Sequence, residues 1–105
     1  MISRIWHGWT SLKNADEYES LLRKEIFTWI SNQNISGYKG IHLLRRSFET
    51  EVEFITIMWF DSYEAVKEFA GEEYEKSVVP PKARKLLSRF DNRSQHYEVK
   101  EVIES

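Results

Sequence analysis

Glu51 to Gly71 reads EVEFITIMWFDSYEAVKEFAG, a strand pattern running straight into a helix pattern. Phe54, Thr56, Met58 and Phe60 fall on one face of the strand, and Ile55, Ile57 and Trp59 on the other. A half-wet strand alternates apolar with polar residues; this one is apolar both ways and must be covered twice. Asp61 is the expected N-cap of the helix, with Glu64 behind it, and Ala65, Val66, Phe69 and Ala70 its buried side. Gly71 is the expected stop. The chain's own helices supply one cover for the strand. In so short a chain the obvious second cover is another copy of the same sheet.

The chain has 105 residues, 41% of them hydrophobic and 14% aromatic, which describes one globular domain, 1–105. Fifteen Lys and Arg stand against 17 Asp and Glu, a net charge of −2 that argues against nucleic acid or an anionic membrane as partner. The absence of cysteine removes disulfides, thiol catalysis and thiolate metal sites together. MISRIWHGW has no signal-like apolar run and no segment has the length of a membrane span, so a cytoplasmic protein is the default expectation.

Ile2 to Thr10 predicts a first strand, with Ile5, His7 and Trp9 on one face and Arg4, Trp6 and Gly8 on the other. Asn14 is the expected cap of a helix running to about Ser31, with Tyr18, Leu22, Ile26 and Trp29 on one stripe. Gly37 is the natural left-handed residue between this helix and a strand over Tyr38 to Phe48. The short turn at Glu49 to Glu51 makes a hairpin with the two-faced strand. After an acidic bridge with Tyr74, Pro80 and Pro81 open a short helix whose apolar side is Ala83, Leu86, Leu87 and Phe90. Ser94 to Ile103 reads as a last strand. The order β-α-β-β-α-(α)-β describes an α+β fold, the ferredoxin-like split βαβ sandwich: an antiparallel sheet with helices on one face. Two such sheets face to face make a homodimer.

RIWHGWT, ITIMWFDSYEAVKEFAGEE and ARKLLSRFDNRSQHYEV together resemble the antibiotic biosynthesis monooxygenase-like family, over nearly the whole chain from Ile2 to Val99. The resemblance implies a dimeric α/β barrel with a pocket between sheet and helices in each protomer. It also implies oxidation of anthrone- or quinol-like aromatics by molecular oxygen, with no metal or flavin cofactor. The physical logic is that an electron-rich phenolate or enolate reduces oxygen directly, so the protein need only deprotonate, hold and desolvate it. In quinol-oxidising relatives a pocket histidine follows the second helix, at a place that falls here on Glu73. In haem-degrading relatives the axial histidine falls near Val78 or Val79, and no histidine is there.

Candidate catalytic residues are therefore His7, as base or hydrogen-bond donor, and Glu73, a base if burial raises its pKa. Candidate substrate-binding residues are Trp6, Trp59, Phe69 and His96. Each has a plainer reading: Trp6 and Trp59 as core or interface, His7 as a strand histidine, His96 as an orienting group, Glu73 as solvated surface. Arg45 and Arg46 fit either an anionic substituent or edge-strand charges. Three histidines on three strands have no metal-ligand spacing. Beside the oxygenase stands a non-catalytic dimeric module binding a hydrophobic ligand or a protein. An RNA-recognition module has the same element order, but the third strand lacks its Lys/Arg-Gly-aromatic pattern.

Overall fold

A computed structural model describes residues 1–105. Its strands are β1 (Ile2–Ser11), β2 (Tyr38–Ser47), β3 (Glu51–Phe60), β4 (Leu87–Phe90) and β5 (Gln95–Glu98). They form one sheet in the order β2-β3-β1-β4, with β5 also on β1, and all pairings are antiparallel. This is the ferredoxin-like arrangement that the element order predicts. β4 pairs with Gly8, Trp9 and Thr10 and β5 with Ile2 to Ile5, so the two short strands share one edge of β1. Asp91 fills the gap between them: its N–H donates to the His7 carbonyl at 2.9 Å.

The long first helix is α1 (Ala15–Leu21), a π-helical turn over Leu22–Ile26, and α2 (Phe27–Asn32). A π turn inserts one residue and shifts the buried stripe, a displacement that periodicity at 3.6 residues does not register. Asn14 makes no side-chain cap; Ser11 Oγ accepts the Asn14 N–H instead, and Asn14 Nδ2 donates to the Leu86 carbonyl. Asn34, at φ 53°, is the left-handed residue after α2. Helix α3 (Tyr63–Ala70) is capped by Ser62, one residue beyond the expected Asp61, with Ser62 Oγ accepting the Ala65 N–H at 3.2 Å. Gly71 ends α3 at φ 89°. Helix α4 (Pro81–Leu86) stops four residues earlier than its apolar pattern, because Leu87–Phe90 extend to pair with β1 as β4. The final strand is likewise shorter than expected, and residues 99–105 have no regular structure.

On the helix side, Ile2, Arg4, Trp6 and Thr10 of β1 and Val52, Phe54, Met58 and Phe60 of β3 are buried. The core there is divided. One cluster gathers Ala15, Tyr18, Leu21, Leu22, Val52, Phe54 and Ala83; the other gathers Ile2, Ile30, Met58, Phe60, Ala65 and Val66. Ile26 and Phe27 touch both. Between the Phe54 and Met58 rows lies the row of Trp6 and Thr56, which belongs to neither.

No helix covers the opposite face. Ile5, Ile55, Ile57 and Trp59 are half-buried there and Leu44 is exposed. His7 Nδ1 lies 2.9 Å from Glu53 Oε2, His42 packs edge-on against Trp59, and the Arg89 guanidinium lies 3.8 Å from the Trp9 ring.

Gly37 is buried where the chain enters β2, and a Cβ there would strike Asp61 Oδ1 and the Ala65 methyl at the start of α3. Gly37→Ala is expected to cost about 1–3 kcal/mol of stability, read from the midpoint of urea unfolding, while wild-type behaviour would show that α3 shifts freely.

Candidate functional site

The seam between the two core clusters is a cavity of about 60 Å³, and 13 of its 17 lining residues are hydrophobic. Arg4, Trp6, Ile41, Thr56 and Met58 supply its sheet wall, and Tyr18, Leu22, Ile26, Phe27, Trp29 and Ile30 its helix wall. The π turn places Leu22 and Ile26 in that wall. Phe69 closes one side, and Val78, Val79 and Pro80 meet Trp29 at the rim. These last four and Ile26 also line a surface groove of about 710 Å³. The groove and the cavity meet at this shared rim. As it stands the cavity holds a few waters, below the usual volume of a small-molecule site, so a ring system needs the rim to part.

Trp6 is held in the seam at both ends. Its indole Nε1 donates to the Asp91 carbonyl at 2.8 Å. Gly8, two residues along the same face, leaves room for the ring: a Cβ there would lie 2.6 Å from Trp6 Cη2. Tyr18 packs edge-on against Phe54, with ring centroids 4.9 Å apart, and is almost wholly buried. Burial pushes its phenol pKa far up, with no hydrogen-bonding group contributing. The hydroxyl stays protonated and free to donate.

Arg4 is the unusual member. The residue is 4% exposed, and burial pulls its pKa down to about 10, so it remains charged at neutral pH. Nη1 donates to the Tyr74 carbonyl and to His96 Nε2, at 2.6 and 3.0 Å, and Nη2 to the Lys76 carbonyl at 3.1 Å. The Phe69 ring lies 5.6 Å away. All of these partners are neutral. Because Arg4 can only donate, His96 Nε2 must accept, which leaves the imidazole proton on Nδ1. Desolvation, then the Arg4 charge, lower the His96 pKa to about 4.

The residues expected from sequence separate. Trp6 and Phe69 line the cavity. His96 stands behind Arg4, against Tyr63 and Tyr74, and reaches the cavity only through the guanidinium. Trp59 and His7 lie on the opposite face of the sheet, since odd residues of β1 and β3 point away from the helices. Glu73 needs correcting most: its side chain is 76% exposed and paired with Lys76 at 2.8 Å, which lowers its pKa where a buried base would have it raised. Arg45 is tied to Asp16 and Glu19 at 2.9 and 3.0 Å. Val78 and Val79 carry no ligating atom at the rim, and no three His, Asp or Glu side chains converge as a metal site would need. Sequence reasoning passed over Arg4 and Tyr18, although Arg4 had been placed on the Trp6 face. An arginine between inward-facing residues of a two-faced strand was the available signal.

No protein-family profile matches the chain, and no curated protein matches it. Solved structures do. A Bacillus cereus protein provisionally named an antibiotic biosynthesis monooxygenase superposes with a TM-score of 0.69 at 12% identity, over 99% of this chain and 97% of its own. A protein of an uncultured marine organism, described as a dimeric ferredoxin-like protein, superposes with a TM-score of 0.57 at 15% identity, over 99% and 91%. At these identities the likeness establishes the fold: the whole chain adopts the architecture of those two proteins. No helix is long and apolar enough to cross a membrane.

The neutral His96 has a measurable consequence. Its folded pKa lies below the ordinary imidazole value, so its contribution to stability is full above about pH 6.5 and is lost as pH falls through 4. An NMR titration is expected to show His96 protonating below pH 5, and Arg4→Met is expected to move that midpoint upward. A wild-type midpoint near 6.5 would mean that His96 is not held in its desolvated place beside Arg4 in solution.

Proposed function

We propose that the chain is a homodimeric, cofactor-independent oxygenase of small aromatic molecules of the anthrone or quinol type. The single observation that carries this reading is the aromatic-walled seam between sheet and helices, with Arg4 and Tyr18 as its charged and hydrogen-bonding members. The fold shared with a protein named for antibiotic biosynthesis monooxygenase activity points the same way.

In this reading Trp6 and Phe69 flank the substrate rings, Arg4 favours ionisation of a ring oxygen and Tyr18 donates to an oxygen. For an anthrone the reaction balances without an external reductant. One atom of dioxygen replaces the two methylene hydrogens to give a ketone, and the other leaves as water. The protein orients the substrate, stabilises its enolate and excludes bulk water. His7 and Glu73 take no part as the cavity stands, being on the far sheet face and in solvent. The bare sheet face, apolar at Ile5, Ile55, Ile57 and Trp59, is the surface that a second copy covers. That a protein of the same fold is described as dimeric supports a dimer, and the bare apolar face is what supports this position for it.

A second reading, a dimeric module that binds a hydrophobic molecule without transforming it, is favoured by one observation: no cavity-lining residue is a histidine or carboxylate. Oxygen uptake separates the two. With anthrones and hydroquinones under metal-free conditions, uptake is expected above the protein-free rate, with Tyr18→Phe lowering kcat/KM about tenfold through one lost hydrogen bond. Glu73→Gln is expected to stay within about twofold of wild type. Ligand binding with no uptake across the panel would leave the binding module standing.

A further inference from the structure

We infer that the ligand of this cavity carries an anionic oxygen, a carboxylate or an ionised aryl or enol oxygen, and that Arg4 is the residue that binds it. The inference rests on the reading that the cavity takes a small aromatic molecule, and it specifies the chemical class of that molecule.

A guanidinium has five N–H donors, no acceptor and a charge that proteins do not neutralise by deprotonation. Arg4 spends three donors, on the carbonyls of Tyr74 and Lys76 and on His96 Nε2. Nε and the second Nη2 hydrogen have no protein acceptor. Nε has no partner and yet is not among the sealed, unpartnered polar atoms, a state that only Thr10 Oγ1 occupies. Nε therefore retains some access to open space, and the residue lines the cavity.

The charge itself is also uncompensated. Four of the six other arginines pair with carboxylates, Arg23 with Glu19, Arg45 with Asp16 and Glu19, Arg89 with Glu51 and Arg93 with Glu75, and the two that do not, Arg46 and Arg84, are exposed to water. Arg4, the buried one, has none, and desolvation alone accounts for its lowered pKa. Burying a cation without an anion is costly and leaves a strong preference for one at the free donors.

A purely structural task does not account for the charge. Holding the Tyr74–Lys76 turn against β1 requires donors to two carbonyls, which a neutral side chain also supplies. The His96 contact works against a structural cation, because an imidazole beside it is pushed toward its neutral form and offers no countercharge. What the surroundings do supply is an apolar approach. Trp6, Met58 and Phe69 border the cavity beside Arg4, so that once the rim parts a flat ring bearing an anionic oxygen would lie between them with its charge on the guanidinium.

Isothermal calorimetry at neutral pH with matched pairs tests this. One pair is 2-naphthoate and 2-naphthamide, for a carboxylate. The other is 2,4-dinitrophenolate and 2,4-dinitroanisole, for an ionised aryl oxygen. At least one anion is expected to bind tenfold or more tightly than its neutral twin, and the pair that shows it identifies the oxygen. In Arg4→Met, checked for folding by thermal melting, the preference is expected to fall below threefold, with Arg4→Lys retaining part of it. Equal binding of both members of each pair would overturn the anion site and leave the aromatic cavity intact. A preference that survives in folded Arg4→Met would also overturn it, since the anion would then lie elsewhere. If no probe of either charge binds, the ligand cavity and the anion site fall together. The wild-type comparison stands even if Arg4→Met does not fold.

Discussion

The two-sided apolar character of β3 constrains everything else in this chain. β3 lies between β1 and β2, so its backbone is satisfied on both edges and its side chains must be covered on both faces. On the even face Val52, Phe54, Met58 and Phe60 are buried under the helices. On the odd face Ile55, Ile57 and Trp59 have no helix above them. The split βαβ connection places both crossover helices on the same side, so the chain has nothing left for the other.

The even face also explains where a site can exist. Four bulky residues on β3 would build one continuous core, but Thr56 interrupts them, opposite Trp6 on β1. The helices close over the Phe54 row with Tyr18 and over the Met58 row with Ile30. The Trp6–Thr56 row is left as a seam, with the π turn above it and a buried cation beside it. The cavity is thus a consequence of how two half-cores meet. Its chemistry comes from the one arginine that the inward face of β1 carries.

Much of this architecture was legible in the sequence, because a period of two on β1 and β3 and capped apolar stripes on the helices are strong signals. The elements that differ have local causes. Leu87 to Phe90 continue an apolar helical stripe yet become β4, because the free edge of β1 takes their backbone hydrogen bonds, and tertiary pairing outweighs helical pattern. The cap at Ser62 and the left-handed Asn34 displace expectations by one and three residues, within the margin that composition alone can set. The site was less legible. Trp6 and Phe69 line the cavity, but spacing along the chain could not tell that Glu73 faces solvent and that Trp59 faces away from the helices. Arg4 was overlooked because an isolated arginine reads as surface unless the burial of its strand face is already known.

The central claim is that the odd face of the sheet is covered by a second copy of the chain, leaving the even face and its seam for a ligand. Sedimentation velocity at tens of micromolar protein tests it most directly. The account predicts a single species of twice the 12.6 kDa chain mass. A species at 12.6 kDa across that concentration range would contradict it, because Ile55, Ile57 and Trp59 would then face water without a cover.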